Sequence, residues 1–192
     1  GLATSKFGVP FAEARALYAR ARRMRGVRAR GVDCHIGSQL TRLGPLAAAL
    51  RQVAGLYRVL RAEGHPLEWL DVGGGLGIRY RDEAPPSPDR WAETVRASTR
   101  ETGATVLVEP GRVLVGNAGV LLTRVLYRKR AGGRTLVVVD AGMNDLIRPA
   151  LYGAEHAIVP VRPSVGRART VDVVGPVCES TDVLGQARRL VL

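Results

Sequence analysis

Three consecutive glycines, Gly73-Gly74-Gly75, with Gly77 close behind, are the clearest chemical signal in the chain. A run without side chains lets backbone N–H groups approach an anion closely, and phosphate is the natural guest. The spacing is neither the G-x-G-x-x-G of dinucleotide folds nor a P-loop. From the run alone, a structural turn and a phosphate site both remain open. Two other segments offer groups suited to a charged small molecule: His35-Ile36-Gly37-Ser38 and Glu109-Pro110-Gly111-Arg112. Further along, the stretch from Asp140 to Gly153 is dense in turn and hydrogen-bonding residues and contains Arg148 and Tyr152. Cys178 and Glu179 follow Gly175-Pro176, and a thiol beside a carboxylate in a loop is unusual for a packing cysteine. Cys34, in a strand, is expected to pack. A lone histidine is ordinarily packed or solvated, as expected of His65; His35 differs because it shares a strand end with other candidates.

These groups need elements to carry them. Helical spacing of Phe11, Ala14, Leu17, Tyr18 and Ala21 predicts a surface helix over 10–25, and Leu46, Leu50, Val53, Tyr57 and Leu60 predict a second, stopped by Gly64 and Pro66. A third is expected from about Asp89 to Glu101. Between them, Val27–Ile36, Leu67–Val72 and Thr105–Val108 read as strands. The acidic residues at their ends, Asp33, Asp71 and Glu109, are spaced 38 residues apart in both intervals. Equal steps predict equal strand–helix units, whose functional face lies at the strand ends in a parallel barrel or open sheet. A complete eight-unit barrel takes about 250 residues, so about half of one is expected. After residue 115 the pattern changes: Val120–Tyr127, Thr135–Asp140, Ala157–Val161 and Thr170–Val174 read as strands without long helices between them, predicting a β-rich domain.

Composition narrows the function classes. The 192 residues are 46% hydrophobic and 24% charged, which describes a globular protein with a sizeable core. No window approaches the roughly 18 uninterrupted apolar residues of a membrane span and no basic-then-apolar leader opens the chain, so a soluble, cytoplasmic protein without a membrane partner is expected. Two cysteines far apart suggest neither a disulfide framework nor a structural zinc site, and no metal is expected. The net charge of +12 invites a nucleic-acid reading, but residues 1–30 alone carry +7 of it, almost all cations are arginine, and no aromatics are interleaved to stack on bases. A solvated basic helix face is the expectation, with no nucleic-acid partner.

Taken in order, His35-Ile36-Gly37-Ser38, Gly73-Gly74-Gly75, Glu109-Pro110-Gly111-Arg112, Met143-Asn144-Asp145 with Arg148-Pro149 and Tyr152, and Cys178-Glu179-Ser180 resemble the diaminopimelate decarboxylases. The first three motifs are shared with sibling alanine-racemase-type decarboxylases of ornithine or arginine; the last two favour the diaminopimelate branch. The resemblance implies an α/β fold in which residues 1–114 form the C-terminal half of a (β/α)8 TIM barrel and 115–192 begin a β-rich domain. It implies pyridoxal 5'-phosphate as cofactor, an amino-acid substrate, and a homodimer with shared active sites. Decarboxylation of meso-diaminopimelate to L-lysine and carbon dioxide, the last step of lysine biosynthesis, would be the reaction. By the same resemblance, Gly73, Gly74 and Gly75 hold the phosphate, with Ser38, Gly111 and Arg112 nearby. Glu109 pairs with the pyridine nitrogen and His35 lies against the ring. Arg112, Arg148 and Tyr152 take the distal carboxylate of the substrate and Glu179 its distal ammonium group. Cys178 returns a proton to the α-carbon from the partner subunit.

One departure accompanies the match. In this family the lysine that joins the cofactor aldehyde lies upstream of every motif present here. Neither Lys6, in Ser5-Lys6-Phe7-Gly8, nor Lys129 matches it. A late tyrosine of the family would likewise fall after Leu192. The expectation is therefore a central fragment, inactive alone, with a non-catalytic pyridoxal-phosphate-binding relative as the alternative from another class.

Overall fold

The computed structural model describes residues 6–162 and 165–191, so Ser5 of the Lys6 segment lies outside the described residues. The chain divides into two compact units, Gly1–Gly119 and Val120–Leu192.

In the first unit, helices α1 (Phe11–Ala21), α2 (Gly44–Ala62) and α3 (Pro88–Thr99) alternate with strands β1 (Gly31–Asp33), β2 (Trp69–Gly74) and β3 (Thr105–Glu109). The strands form a parallel sheet in the order β1-β2-β3. The α/β class with a parallel sheet is thus observed. α2 supplies most of the core: Leu46, Leu50, Val53, Tyr57 and Leu60 are buried along one stripe against Leu67, Leu70 and Val72 of the β2 segment. Each fully buried side chain of this size contributes roughly 1.5–3 kcal/mol. The Tyr57 phenol is not left unsatisfied, since its hydroxyl donates to the Leu67 carbonyl at 3.1 Å. α3 begins at Ser87, whose Oγ accepts the Arg90 N–H at 3.3 Å, with Pro88 in the first turn. His65 packs as expected, buried and edge-on to Tyr18.

Boundaries moved where packing ended. α1 stops at Ala21 rather than 25, because the arginine-rich turn beyond it has only the exposed Met24 to offer a core, and Gly26 then turns the chain at φ +80°. The strand expected over Val27–Ile36 survives only as Gly31–Asp33, since residues past Asp33 leave the sheet to meet the glycine run. β2 runs two residues further than expected, through Gly73 and Gly74. The third helix ends in a short 3-10 turn, Arg100–Thr102, closed by Gly103 in the left-handed region.

The second unit is a four-stranded sheet, β4 (Val125–Ala131), β5 (Arg134–Val139), β6 (Arg169–Val174) and β7 (Val183–Leu190), in that order. β4 and β5 form a hairpin around Gly132-Gly133, both at positive φ as a tight two-residue turn requires. β5 pairs parallel with β6, and β6 antiparallel with β7. Val137, Val139, Val171, Val173, Leu184 and Leu190 fill the core on one face. Two expectations are corrected, and β7 is a strand the sequence did not mark. Val120–Arg124 precedes the first strand instead of forming it, and Ala157–Val161 is irregular, with Pro160 removing a ladder donor. β7 had no alternating signature, because Gly185 and the positive-φ Ala187 interrupt it with a register shift. A short helix, α4 (Arg148–Tyr152), ends at Gly153 in the left-handed region. Among the described residues no helix is long and apolar enough to cross a membrane.

Candidate functional site

The sheet converts the equal sequence steps into proximity. Asp33 on β1 sits directly opposite Asp71 on β2, and Asp71 opposite Leu107 on β3. An irregularity between Asp71 and Gly74 lets three steps on β2 match two on β3, so that Gly74 becomes the register partner of Glu109. Glu109 lies two residues past Leu107 and so points to the same face. One oxygen from each of Asp33, Asp71 and Glu109 lies within 4.8 Å of the others. Burial, and then the neighbouring Asp71 charge, push the Asp33 carboxyl above its usual range.

All three glycines are required by close approach. Gly73 and Gly75 adopt φ of +63° and +85°, where a Cβ is disfavoured. A Cβ on Gly73 would come within 2.8 Å of His35 Nδ1 and 2.9 Å of the Cys34 carbonyl; on Gly74 it would overlap the Glu109 carbonyl, and on Gly75 the Gly37 carbonyl. The turn left open by the sequence is therefore a crossing point of three strand-end loops. Two of its amides donate within the protein: Gly73 N–H to Asp71 Oδ1 at 2.9 Å, and Gly74 N–H to His35 Nδ1 at 3.3 Å. Because Nδ1 accepts, the neutral His35 ring carries its proton on Nε2. The same Nδ1 is 3.9 Å from Glu109 Oε2, and both side chains remain substantially exposed.

Arg112 projects from a single 3-10 turn, Gly111–Val113, after Pro110. Its Nη1 donates to the Tyr80 hydroxyl at 2.9 Å and its guanidinium lies 5.9 Å from that ring's centroid, which attaches Arg112 to the segment following the glycine run. Tyr80 carried no sequence signal. Ser38 is exposed beside Gly37, in a loop held to Gly75 and Gly77 by backbone bonds. Cys34 is half-buried against the core, and burial pushes its thiol up, as suits a packing residue.

In the second unit, the Arg148 guanidinium lies 5.8 Å from the Tyr152 ring centroid, both residues being carried by α4. Cys178 is a free, exposed thiol, and exposed Glu179 accepts from the Thr181 N–H and hydroxyl at 3.2 Å each. Asp182, four residues past Cys178, is the buried tie between the two loops. Its Oδ1 accepts the Met143 N–H at 2.6 Å and its Oδ2 the Val177 N–H at 2.8 Å. Gly142 and Gly175 are packed so closely against it that a Cβ on either would crowd the carboxylate. A buried anion with two amide donors is well satisfied.

The site residues thus form two sets, one in each unit. The first combines an exposed carboxylate, an imidazole of defined tautomer, a side-chain-free backbone cradle and a guanidinium. The second combines an arginine–tyrosine pair with an accessible thiol and carboxylate.

Comparison with known proteins gives a consistent set of relatives. Residues 1–116 match the family described as pyridoxal-dependent decarboxylase, pyridoxal binding domain. The whole chain is 47% identical to a diaminopimelate decarboxylase of Vibrio cholerae and 48% identical to one of Pseudomonas aeruginosa, covering 46% of each. The chain therefore spans about half the length of the relatives it matches. Among solved structures, diaminopimelate decarboxylase from Helicobacter pylori complexed with L-lysine superposes with a TM-score of 0.91 at 40% identity, over all of this chain and 48% of that one. Lysine/ornithine decarboxylase from Vibrio vulnificus complexed with cadaverine shares the fold, with a TM-score of 0.86 at 22% identity, over 100% of this chain and 52% of that one.

Proposed function

The chain belongs to the pyridoxal-dependent decarboxylases, and on that premise we propose that the protein it is part of is a cytoplasmic diaminopimelate decarboxylase, converting meso-diaminopimelate to L-lysine and carbon dioxide. In this reading residues 1–114 are the C-terminal half of a (β/α)8 barrel and 115–192 the N-terminal part of a β-rich domain. The observation that carries it is the meeting of Glu109 with the glycine cradle at one end of the parallel sheet. A ring nitrogen that must stay protonated calls for an anion, and a phosphate calls for backbone unobstructed by side chains, so these residues fit pyridoxal 5'-phosphate. When bound, that cofactor accepts the electron pair released as carbon dioxide leaves.

The chain's own groups then divide the work. Glu109 would hold the proton on the ring nitrogen, and His35 would lie against the ring. Gly73, Gly74 and Gly75 would carry the phosphate, with Ser38 and Gly111 beside it and Arg112 supplying positive charge. The substrate carries two carboxylates and two ammonium groups. Arg148 and Tyr152 in the second unit suit its distal carboxylate, and Arg112 in the first unit is of the same chemistry, because a planar guanidinium binds a carboxylate through a fork of two donors. Glu179 suits the distal ammonium, and Cys178 returns a proton to the α-carbon from the other subunit of a homodimer.

The substrate assignment rests on identity: 47–48% to diaminopimelate decarboxylases against 22% to the lysine/ornithine enzyme. The full-length enzyme should release carbon dioxide from meso-diaminopimelate and leave ornithine and arginine essentially untouched in a side-by-side rate assay. Faster turnover of ornithine or arginine would transfer the protein to the sibling decarboxylases. Cofactor binding without any turnover would make it a non-catalytic relative.

A further inference from the structure

Gln39, the residue after Ser38, adopts φ +61°. This left-handed conformation is disfavoured for a residue that bears a side chain. What holds it there is its own side chain, which pairs with both backbone groups of Ile78. Nε2 donates to the Ile78 carbonyl at 2.6 Å and Oε1 accepts the Ile78 N–H at 3.2 Å. Only a primary amide of this length can do both: a carboxylate lacks the donor, and asparagine is one methylene too short to span the same gap. Alongside, the Leu40 N–H donates to Gly75 O at 2.8 Å and the Gly77 N–H to Leu40 O at 3.1 Å, with Leu40 and Leu76 forming a parallel bridge. The Gly37 carbonyl occupies the space where a Cβ of Gly75 would stand. The loop carrying Ser38 and the loop carrying Gly75 are therefore stitched together on both sides of Gln39.

We propose that Gln39 is a positioning residue for the phosphate of the cofactor: its two-point amide pair with Ile78 sets the spacing between the Ser38 hydroxyl and the glycine cradle. The phosphate-specific part of cofactor affinity then depends on a side chain that acts through these two neighbours. This rests on the reading of the loop pair as the phosphate site.

The test uses the full-length enzyme freed of cofactor, titrated separately with pyridoxal 5'-phosphate and with pyridoxal, which lacks the phosphate. The ratio of the two dissociation constants isolates what the phosphate contributes. Gln39→Gly removes the amide and relieves the left-handed strain; Gln39→Asn tolerates that conformation but falls short of Ile78. Either substitution should reduce the ratio about tenfold, equivalent to about 1.4 kcal/mol, while pyridoxal affinity changes less than about twofold. A folded variant with an unchanged ratio, or one that loses affinity for both compounds in parallel, overturns the positioning role. If the unaltered enzyme shows no preference for the phosphorylated compound, the phosphate site itself falls, and this inference with it. If it shows that preference and the variants keep it, only Gln39 is dismissed.

Discussion

Asp33 shows how a single residue can work against the fold that places it. It stands opposite Asp71 in register, with Glu109 close by, and its carboxyl is pushed up first by burial and then by the Asp71 charge. For an acid with a raised folded pKa, the favourable contribution is fully present below the unfolded value and is lost as pH rises through the folded value. Ionised Asp33 therefore opposes folding at neutral pH. Asp33→Asn in the full-length protein should raise the melting temperature at pH 7, and the gain should shrink as pH is lowered towards 4. Thermal melts of both proteins across that range check this, and an equal or lower melting temperature at pH 7 would contradict it. His35 behaves differently. Its place was legible from its company at a strand end, but its tautomer was not, because that depends on a backbone N–H 39 residues away.

At the scale of elements, the helices were the most legible parts. The stripe of α2 buries the residues its spacing selected, because a 3.6-residue period leaves one apolar face that has to be covered. β7 was invisible for the converse reason: a strand interrupted by Gly185 and Ala187 has no period to read. The glycines make a matched pair of predictions. Gly55 lies inside α2 at an ordinary helical φ, and an added Cβ would meet nothing within 4 Å. Gly55→Ala should stabilise by roughly 0.5–1 kcal/mol, measured by denaturant or thermal unfolding of the full-length protein. Gly74→Ala is the opposite case, because its Cβ would overlap the Glu109 carbonyl and force β2 and β3 apart where they carry the site. It should lower the melting temperature and weaken cofactor binding together. A Gly74→Ala enzyme with normal stability and affinity would show that the strand ends tolerate separation.

At the scale of the whole molecule, among the described residues β1 and β3 each present one unpaired edge, and many apolar side chains between Leu114 and Tyr127 are exposed. Edges and apolar surface of this kind are covered in folded proteins by further strands, by loops or by a second chain. The proposed homodimer with shared sites has a direct test. Glu109→Gln and Cys178→Ala should each strongly reduce turnover of the full-length enzyme. If Cys178 serves the active site of the other subunit, mixing the two variants and allowing subunits to exchange should recover up to about a quarter of full activity, because a mixed dimer has one site free of both substitutions. Recovery absent despite demonstrated exchange would place Cys178 in the site of its own subunit or outside the reaction.

The amino-acid order by itself was enough to establish the α/β class and the periodic helices, because those rest on local period, and it carried the motifs whose family resemblance implies pyridoxal phosphate. Tertiary structure alone decided the rest. It placed Glu109 opposite Gly74 through an irregular register, gave each of the three glycines a separate backbone neighbour, and set Gln39 against Ile78 and Asp182 between two loops. The reason is physical: register and close approach arise between segments tens of residues apart, and no periodicity within either segment encodes which backbone group the other will meet.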